Sequence, residues 1–427
     1  MQEVSANGEV AGRPERLRLR WSALDPAWRW ALQLFLGYRV LLSIWMAWVS
    51  AVFPHTGYEQ AMPVWPISAP LGTWLERVLL WPSARYDVFW NTGIAEQGYA
   101  FHVGSTAFHP LYPLLIGLLG RALGGDYLLA GWLIAQVCCV AMLALLYKLV
   151  LLDYDAAVAR RATLFLLGSP LGFIFLVPYA ESLLLLCVVG ALYAARRGRW
   201  LLAGAAGAAA ALTKQPGVVV ALPLAWELWH ASRTDPAMGA GQSVGWQRLR
   251  VLVRPLLGLA LVPFGLLAYL VYRASLGDTE FSWSNPSTLI WALLVTPSYD
   301  RVWDHHFGWP WESLVMAFAR LRAEPFAYLI LNTYGMIAMA VIVCYGALRQ
   351  RGSYALYGLC LLLMNLSIVY VHVPYISVLR RFTIIFPLFI QLALWGRSRW
   401  LATLILLCNT LLWVYIVEAY VRFAYLP

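Results

Sequence analysis

The chain is 427 residues long, 61% hydrophobic and only 12% charged, with a formal net charge of +10. Soluble domains carry about 25% charged residues, so an ordinary soluble enzyme is excluded, and the apolar content equally excludes a disordered chain. Continuous apolar runs, without in-and-out alternation or sustained heptads, exclude a β-barrel and a coiled coil and predict an all-α polytopic integral membrane protein.

The basic excess is 29 Arg with only two Lys, Lys148 and Lys214. It does not predict a nucleic-acid partner, because most of these side chains fall in short breaks between apolar runs, where basic residues retain a loop on the cytoplasmic side. Residues 1–28, with Arg13, Arg16, Arg18 and Arg20, lack a compact apolar core and a small-residue cleavage site. They are expected to form an uncleaved cytoplasmic leader.

Apolar segments follow at roughly 29–52, 127–151, 162–178, 182–195, 200–213, 216–230, 252–274, 327–348, 354–371, 382–396 and 400–420. This predicts a single domain over 29–427 with about 11 transmembrane helices and long extracytoplasmic loops at 53–110 and 275–325. With the N-terminus inside, 19 of the 31 basic residues lie on the inner side and 11 on the outer, Arg39 falling within the first segment. That bias supports the orientation. The stretch 111–124 is only 14 residues long and contains Arg121, so it is expected to be interfacial or partly inserted. Gly204, Gly207, Ala208 and Ala211 offer a small-residue face for close helix packing.

The two outer loops hold ten of the 21 acidic residues, and six of the seven His also lie outside. Carboxylates and imidazoles gathered on one membrane face, above a helix bundle, predict that a polar substrate is handled there. The richest stretch is RYDVFWNTGIAEQGYAFHVGSTAFHPLYPLL, from Arg85 to Leu115, where Asp87 sits amid Tyr86, Phe89 and Trp90. A carboxylate partly desolvated by aromatics suits a general base, and the rings suit sugar faces; Asp87 equally fits an N-cap before VFWNTGIAEQG. Asp153 and Asp155, in DYD among Lys148, Arg160 and Arg161, read as a solvated cytoplasmic turn.

The aromatic-Asp followed by Trp, IA..GY and AF-aromatic-PLYPLL resembles the first lumenal loop of the PIG-V-type mannosyltransferases, which add the second mannose in GPI-anchor assembly, and of their bacterial relatives. SPLGFIFLVPYAESLLLL, AGAAGAAAALTKQPG and RRFTIIFPLFIQLA are similar to further family blocks in the same order, over about 85–393. The chain departs from the pattern at Tyr86, where Trp is usual, and at His109, where an aromatic is usual.

The resemblance implies a GT-C-like bundle and a mannosyltransferase that uses a polyprenyl or dolichyl phosphate donor. The acceptor would be an extracytoplasmic hydroxyl of a glycolipid, glycan or protein, attacked with inversion. Asp87 corresponds to the loop carboxylate taken as catalytic base. The leaving phosphate requires positive charge, for which Lys214, Arg380 and Arg381 are the candidates, although each could be a snorkelling interfacial cation. The matched motifs place Tyr86, Trp90, Tyr99, His109, Tyr112, Tyr179 and Glu181 in the substrate pocket, with Glu181 alternatively a helix cap. His305 and His306, in WDHHFGWPWES, join them; they lack metal-ligand spacing, and neither metal nor other cofactor is expected. The preference for Arg over Lys and the richness in Ala and Leu point to a GC-rich bacterial source and its plasma membrane. A transporter or flippase of a polar or lipid-linked solute is the alternative, but it would call for broken helices at the midplane, paired intramembrane charges and repeat symmetry.

Overall fold

A computed structural model describes residues 24–54, 73–102, 104–234, 246–276, 305–370 and 373–424. Most of the predicted leader, and the central parts of both predicted outer loops at 55–72 and 277–304, lie outside the described residues.

Helix α1 (Pro26–Val52) starts behind Asp25, whose carboxylate accepts from Ala27 N at 2.8 Å. A short α2 (Trp74–Leu79) and α3 (Asp87–Gln97) lead through 3-10 turns to α4 (Leu111–Ala122) and α5 (Tyr127–Val150). Then come α6 (Ala156–Leu167), α7 (Glu181–Arg196), α8 (Trp200–Thr213), α9 (Ala221–Thr234) and α10 (Trp246–Ser275). The last part comprises β1 (His305–Phe307), α11 (Glu312–Ala323), α12 (Ala327–Ala347), α13 (Gly352–Ser367), β2 (Ile368–Tyr370), α14 (Val378–Thr383), α15 (Phe386–Trp395) and α16 (Arg399–Val421). The only sheet among the described residues is the antiparallel β1–β2 pair, with His305 opposite Tyr370. The protein is therefore all-α, as expected for a polytopic membrane protein.

Five helices among the described residues are long and apolar enough to cross a bilayer: α1, α5, α12, α16 and the 251–275 part of α10. Other predicted segments are interrupted. The run at 162–178 is helical only to Leu167; between Pro170 and Pro178 the chain passes through a buried 3-10 turn, Gly172–Phe175, before α7. Proline removes a donor and blocks the preceding turn, and irregular backbone at membrane depth is tolerated only inside protein. Here Gln136 Nε2 donates to Leu176 O at 2.8 Å, and Arg39, 9% exposed, reaches the carbonyls of Leu176 and Leu79 at 3.5 Å. The intramembrane arginine thus faces backbone oxygens, with its guanidinium 4.9 Å from the Trp132 ring centroid. The run at 216–230 likewise opens as a 3-10 turn, Gln215–Val220, and that at 382–396 divides into α14 and α15 ahead of Pro387.

Two polar ends orient the bundle, and α7 runs between them. At the far end Arg196 forks onto Asp153 at 2.8 and 3.0 Å, and Arg351 forks onto Glu227 at 2.7 and 2.8 Å. Ser353 and Tyr354 donate to the same two carboxylates at 2.6 and 2.8 Å. Asp153 lies in an exposed turn, as expected, but its side chain is only 18% exposed because Arg196 of α7 and Tyr354 of α13 hold it. Asp155 remains exposed and caps α6 through Val158 N.

The other end carries the candidate site, one length of α7 away; its 16 residues span about 24 Å. α5 reaches the far end over 24 residues, about 36 Å, so it begins beyond the level of the site. α4, only 12 residues and about 18 Å long, starts beside His109 and turns through Gly124 and Gly125 into α5, so it lies at the site end of the bundle. Leu114 and Leu118 on its outer side remain exposed.

The small-residue face of α8 meets α10 backbone to backbone. A Cβ on Gly204 would lie 2.0 Å from Gly258 O, and one on Gly258 would lie 2.3 Å from Trp200 O. Only glycine permits that approach, which seats α8, and Lys214 beyond its end, against the bundle.

Candidate active site

Asp87 is the first residue of α3. The turn before it is held by Arg85, which is fully buried: Nε donates to Val421 O at 2.9 Å and Nη1 to Trp81 O and Ala84 O at 2.7 and 2.8 Å. Tyr86 follows at a φ of +49°, uncommon for a residue with a Cβ, and its ring packs on Tyr420 and Phe423. The backbone is thereby bent so that Asp87 enters the bundle while Tyr86 turns away.

Glu181 is the first residue of α7, reached by the broken segment, and Lys214 is the first beyond α8. Arg380 and Arg381 lie on α14. These elements bring four charges into one chain. Arg380 Nη1 donates to Asp87 Oδ2 at 2.7 Å, Arg380 Nε lies 3.5 Å from Glu181 Oε1, and Lys214 Nζ donates to the same Oε1 at 2.7 Å. Glu181 is only 2% exposed, a position a carboxylate tolerates only among positive partners. The Arg380 guanidinium also sits 5.3 Å from the Tyr179 ring centroid.

Arg381 is the cation left over. Its Nη2 donates to Ile376 O at 3.2 Å and its guanidinium lies 5.4 Å from the Tyr370 ring centroid, while Nε and Nη1 are buried without a hydrogen-bond partner among the described residues. Three cations therefore face two carboxylates around one cavity of about 310 Å³. Asp87, His109, Glu181, Lys214, Arg380 and Arg381 all line it, and Ile368, Ile376, Ile384, Met364, Phe108 and Pro216 supply an apolar wall.

His109 Nδ1–H donates to Ala211 O at 2.6 Å, and its ring lies 4.6 Å from that of Tyr269. Burial, first, pushes its pKa down to about 3; the Ala211 bond opposes this, and the positive charges of Arg273 and Lys214 add to it. The imidazole is thus neutral, with Nδ1 protonated and Nε2 left as an acceptor.

The other sequence-predicted pocket residues stand outside the lining. Trp90 stacks on Phe108, whose carbonyl accepts from Tyr99 Oη at 2.8 Å. Tyr112 donates to Gly131 O at 3.1 Å and Tyr179 to Arg85 O at 3.4 Å, so with Tyr86 these rings form the packing behind the site rather than its surface. Motif spacing does not distinguish the two faces of a short helix. His306 is exposed and set 3.3 Å from Glu312 Oε1, away from the cavity. His305 is placed by its backbone pairing with Tyr370, while its side chain lies outside the described residues.

Asn91, Thr213, Asn365, Tyr370 and Ser377 line the cavity without having been singled out from the sequence. Asn91, one helical turn after Asp87 and donating to its carbonyl at 2.8 Å, was legible from the i, i+4 register. Asn365 and Tyr370 reach the site through the end of α13 and the β1–β2 pairing, which leave no local signal.

No family model matches the chain, and no curated protein matches it. The chain is similar to solved structures of the Archaeoglobus fulgidus oligosaccharyltransferase. In its complex with zinc and sulfate the identity is 12% over 91% of this chain and 53% of that one, with a TM-score of 0.45. The apo form gives 13% identity over 92% of this chain and 56% of that one, with a TM-score of 0.43. The archaeal oligosaccharyltransferase AglB from the same organism, in complex with an inhibitory peptide and a dolichol-phosphate, gives 13% identity over 92% and 56%, with a TM-score of 0.45. The chain spans about half the length of these structures.

Proposed function

We propose that this chain is a GT-C-like membrane glycosyltransferase that moves a sugar from a polyprenyl or dolichyl phosphate to an acceptor hydroxyl on the extracytoplasmic side, mannose being the sugar its motifs favour. The observation that carries this reading is the meeting of two carboxylates, Asp87 and Glu181, with three cations, Lys214, Arg380 and Arg381, at one cavity in a membrane-type helix bundle.

Asp87 offers Oδ1 to the acceptor hydroxyl while Arg380 holds Oδ2. As the hydroxyl oxygen attacks the anomeric carbon, its proton passes to Asp87 and the bond from that carbon to the phosphate oxygen breaks. The electron pair leaves on the phosphate, and a β-linked donor gives an α-linked product. Arg381, with two buried N–H groups unmatched, is suited to the phosphate oxygens; Lys214 and Arg380 add positive charge while Glu181 keeps them in place. The apolar wall suits the first units of the polyprenyl chain. His109 Nε2 suits a substrate hydroxyl as hydrogen-bond donor. The acceptor is a glycolipid, glycan or protein at the outer face of a bacterial plasma membrane.

The test is release of polyprenyl phosphate and transfer of label from polyprenyl-phosphate mannose by the purified protein in nanodiscs, with glucose and arabinose donors in parallel arms. Transfer by the wild type and its loss in Asp87→Asn, by about 10² to 10⁴-fold, is the expected result. Full activity in that variant sinks the base assignment. Movement of lipid-linked sugar across the bilayer without transfer would favour the flippase.

A further inference from the structure

A second cavity, of about 330 Å³, lies at the far end of the bundle between α1, α5 and α6. It is lined by Pro26, Arg29, Trp30, Gln33, Tyr147 and Arg160. The first four occupy one stripe of α1, at i, i+3, i+4 and i+7. Among the described residues, two guanidiniums and no carboxylate face this space. Asp25, the acid nearest along the chain, is already taken by Lys148 Nζ at 2.8 Å and by Ala27 N at 2.8 Å. Arg29 Nε is buried without a hydrogen-bond partner, and no carboxylate pairs with Arg29 or Arg160 among the described residues. The wall is fixed rather than loose: Trp30 Nε1 donates to Thr163 Oγ1 at 2.8 Å, tying α1 to α6.

Further along α1, Leu36, Val40, Leu41 and Ile44 are each more than half exposed, an apolar face suited to acyl chains on a helix long enough to span a bilayer. The cavity therefore opens at the polar end of a lipid-facing helix, at headgroup depth. We propose that it binds the phosphate of an anionic phospholipid headgroup, in the leaflet opposite the candidate active site, through Arg29 and Arg160.

Arg160 is exposed and Arg29 half-buried, with only the Arg29 Nε hidden from solvent, so the pair stands open to an incoming anion, and the planar forks match phosphate oxygens bidentately. Gln33 and Tyr147 supply neutral groups for the headgroup or glycerol oxygens. A choline headgroup would bring its own cation against both arginines, whereas phosphatidylglycerol carries only the negative charge. Free phosphate would satisfy the arginines but gain nothing from the apolar face of α1. The proposal does not depend on the proposed sugar transfer.

The experiment uses the full chain in detergent and reads retained lipid by native mass spectrometry, with thermal unfolding alongside. Phosphatidylcholine, phosphatidylglycerol and inorganic phosphate are the three probes. Phosphatidylglycerol should be retained and should raise the unfolding temperature more than the other two. The Arg29→Gln/Arg160→Gln pair should lose about twenty-five-fold in apparent affinity, about fivefold for each basic side chain, with an Arg320→Gln/Arg322→Gln pair on α11 unchanged. If the double variant does not fold, each single variant is read for its fivefold loss, and the Arg29→Lys/Arg160→Lys pair should retain binding. Equal retention by wild type and Gln variants overturns the site, and equal stabilisation by inorganic phosphate overturns the lipid as its ligand.

Discussion

Arg380 and Asp87 are 293 residues apart in the chain and meet at 2.7 Å, the guanidinium holding Oδ2 of the carboxylate at the start of α3. The same arginine approaches Glu181, so it stands between the half-buried Asp87 and the buried Glu181.

Arg380→Ala leaves Asp87 with no cation of its own and Glu181 with only Lys214. The expected loss is about 3 to 5 kcal/mol of stability, the range for breaking a buried ion pair from one side. Thermal unfolding of the purified protein measures it. A double variant, Asp87→Asn with Arg380→Gln, should lose less than the sum of the two single variants, because each removes the other's uncompensated charge.

Arg381→Gln acts differently. Its guanidinium has no carboxylate partner among the described residues, so little stability should be lost. The donor phosphate loses its matched forks instead, and kcat/KM for the lipid-linked donor should fall by about ten- to a hundredfold, as for a lost charge-assisted hydrogen bond. Steady-state kinetics at varied donor concentration decides this; an unchanged kcat/KM would remove Arg381 from the phosphate site.

His109 predicts an acid-sensitive fold. Its folded pKa of about 3 lies below the ordinary 6.5, so in that interval the unfolded chain binds a proton that the folded chain refuses. Stability is present in full above 6.5 and declines as pH falls towards 3. His109→Phe, which restores the aromatic of the resembled motif, should flatten that part of the unfolding-temperature profile, and an identical slope in the variant would assign the acid sensitivity elsewhere.

Gly204→Ala places a methyl group 2.0 Å from Gly258 O, so α8 and α10 must separate. A destabilisation of about 1 to 3 kcal/mol is expected. Because Lys214 follows directly on α8, transfer activity should fall together with the unfolding temperature, which parallel assays on the same preparation will show.

Membrane class and helical character followed from composition and run length, because lipid obliges the backbone to satisfy itself and apolar runs record that locally, whereas the breaks inside the runs at 162–178, 216–230 and 382–396 did not. Asp87, Glu181, Lys214, Arg380 and Arg381 were also legible one by one, since a polar group at the edge of an apolar run stands out against its neighbours, and His109 was marked by its departure from the resembled motif. Their partnerships were not. Three-dimensional packing decided that Arg380 serves Asp87 and Lys214 serves Glu181, which leaves Arg381 as the cation without a carboxylate among the described residues. It also turned Tyr86, Trp90, Tyr99, Tyr112 and Tyr179 away from the cavity and brought Asn365 and Tyr370 into it. Ion pairs between distant helices depend on crossing geometry and on where helices break, and neither Arg85 locking the turn before Asp87 nor Gly258 admitting α8 leaves a periodic trace along the chain.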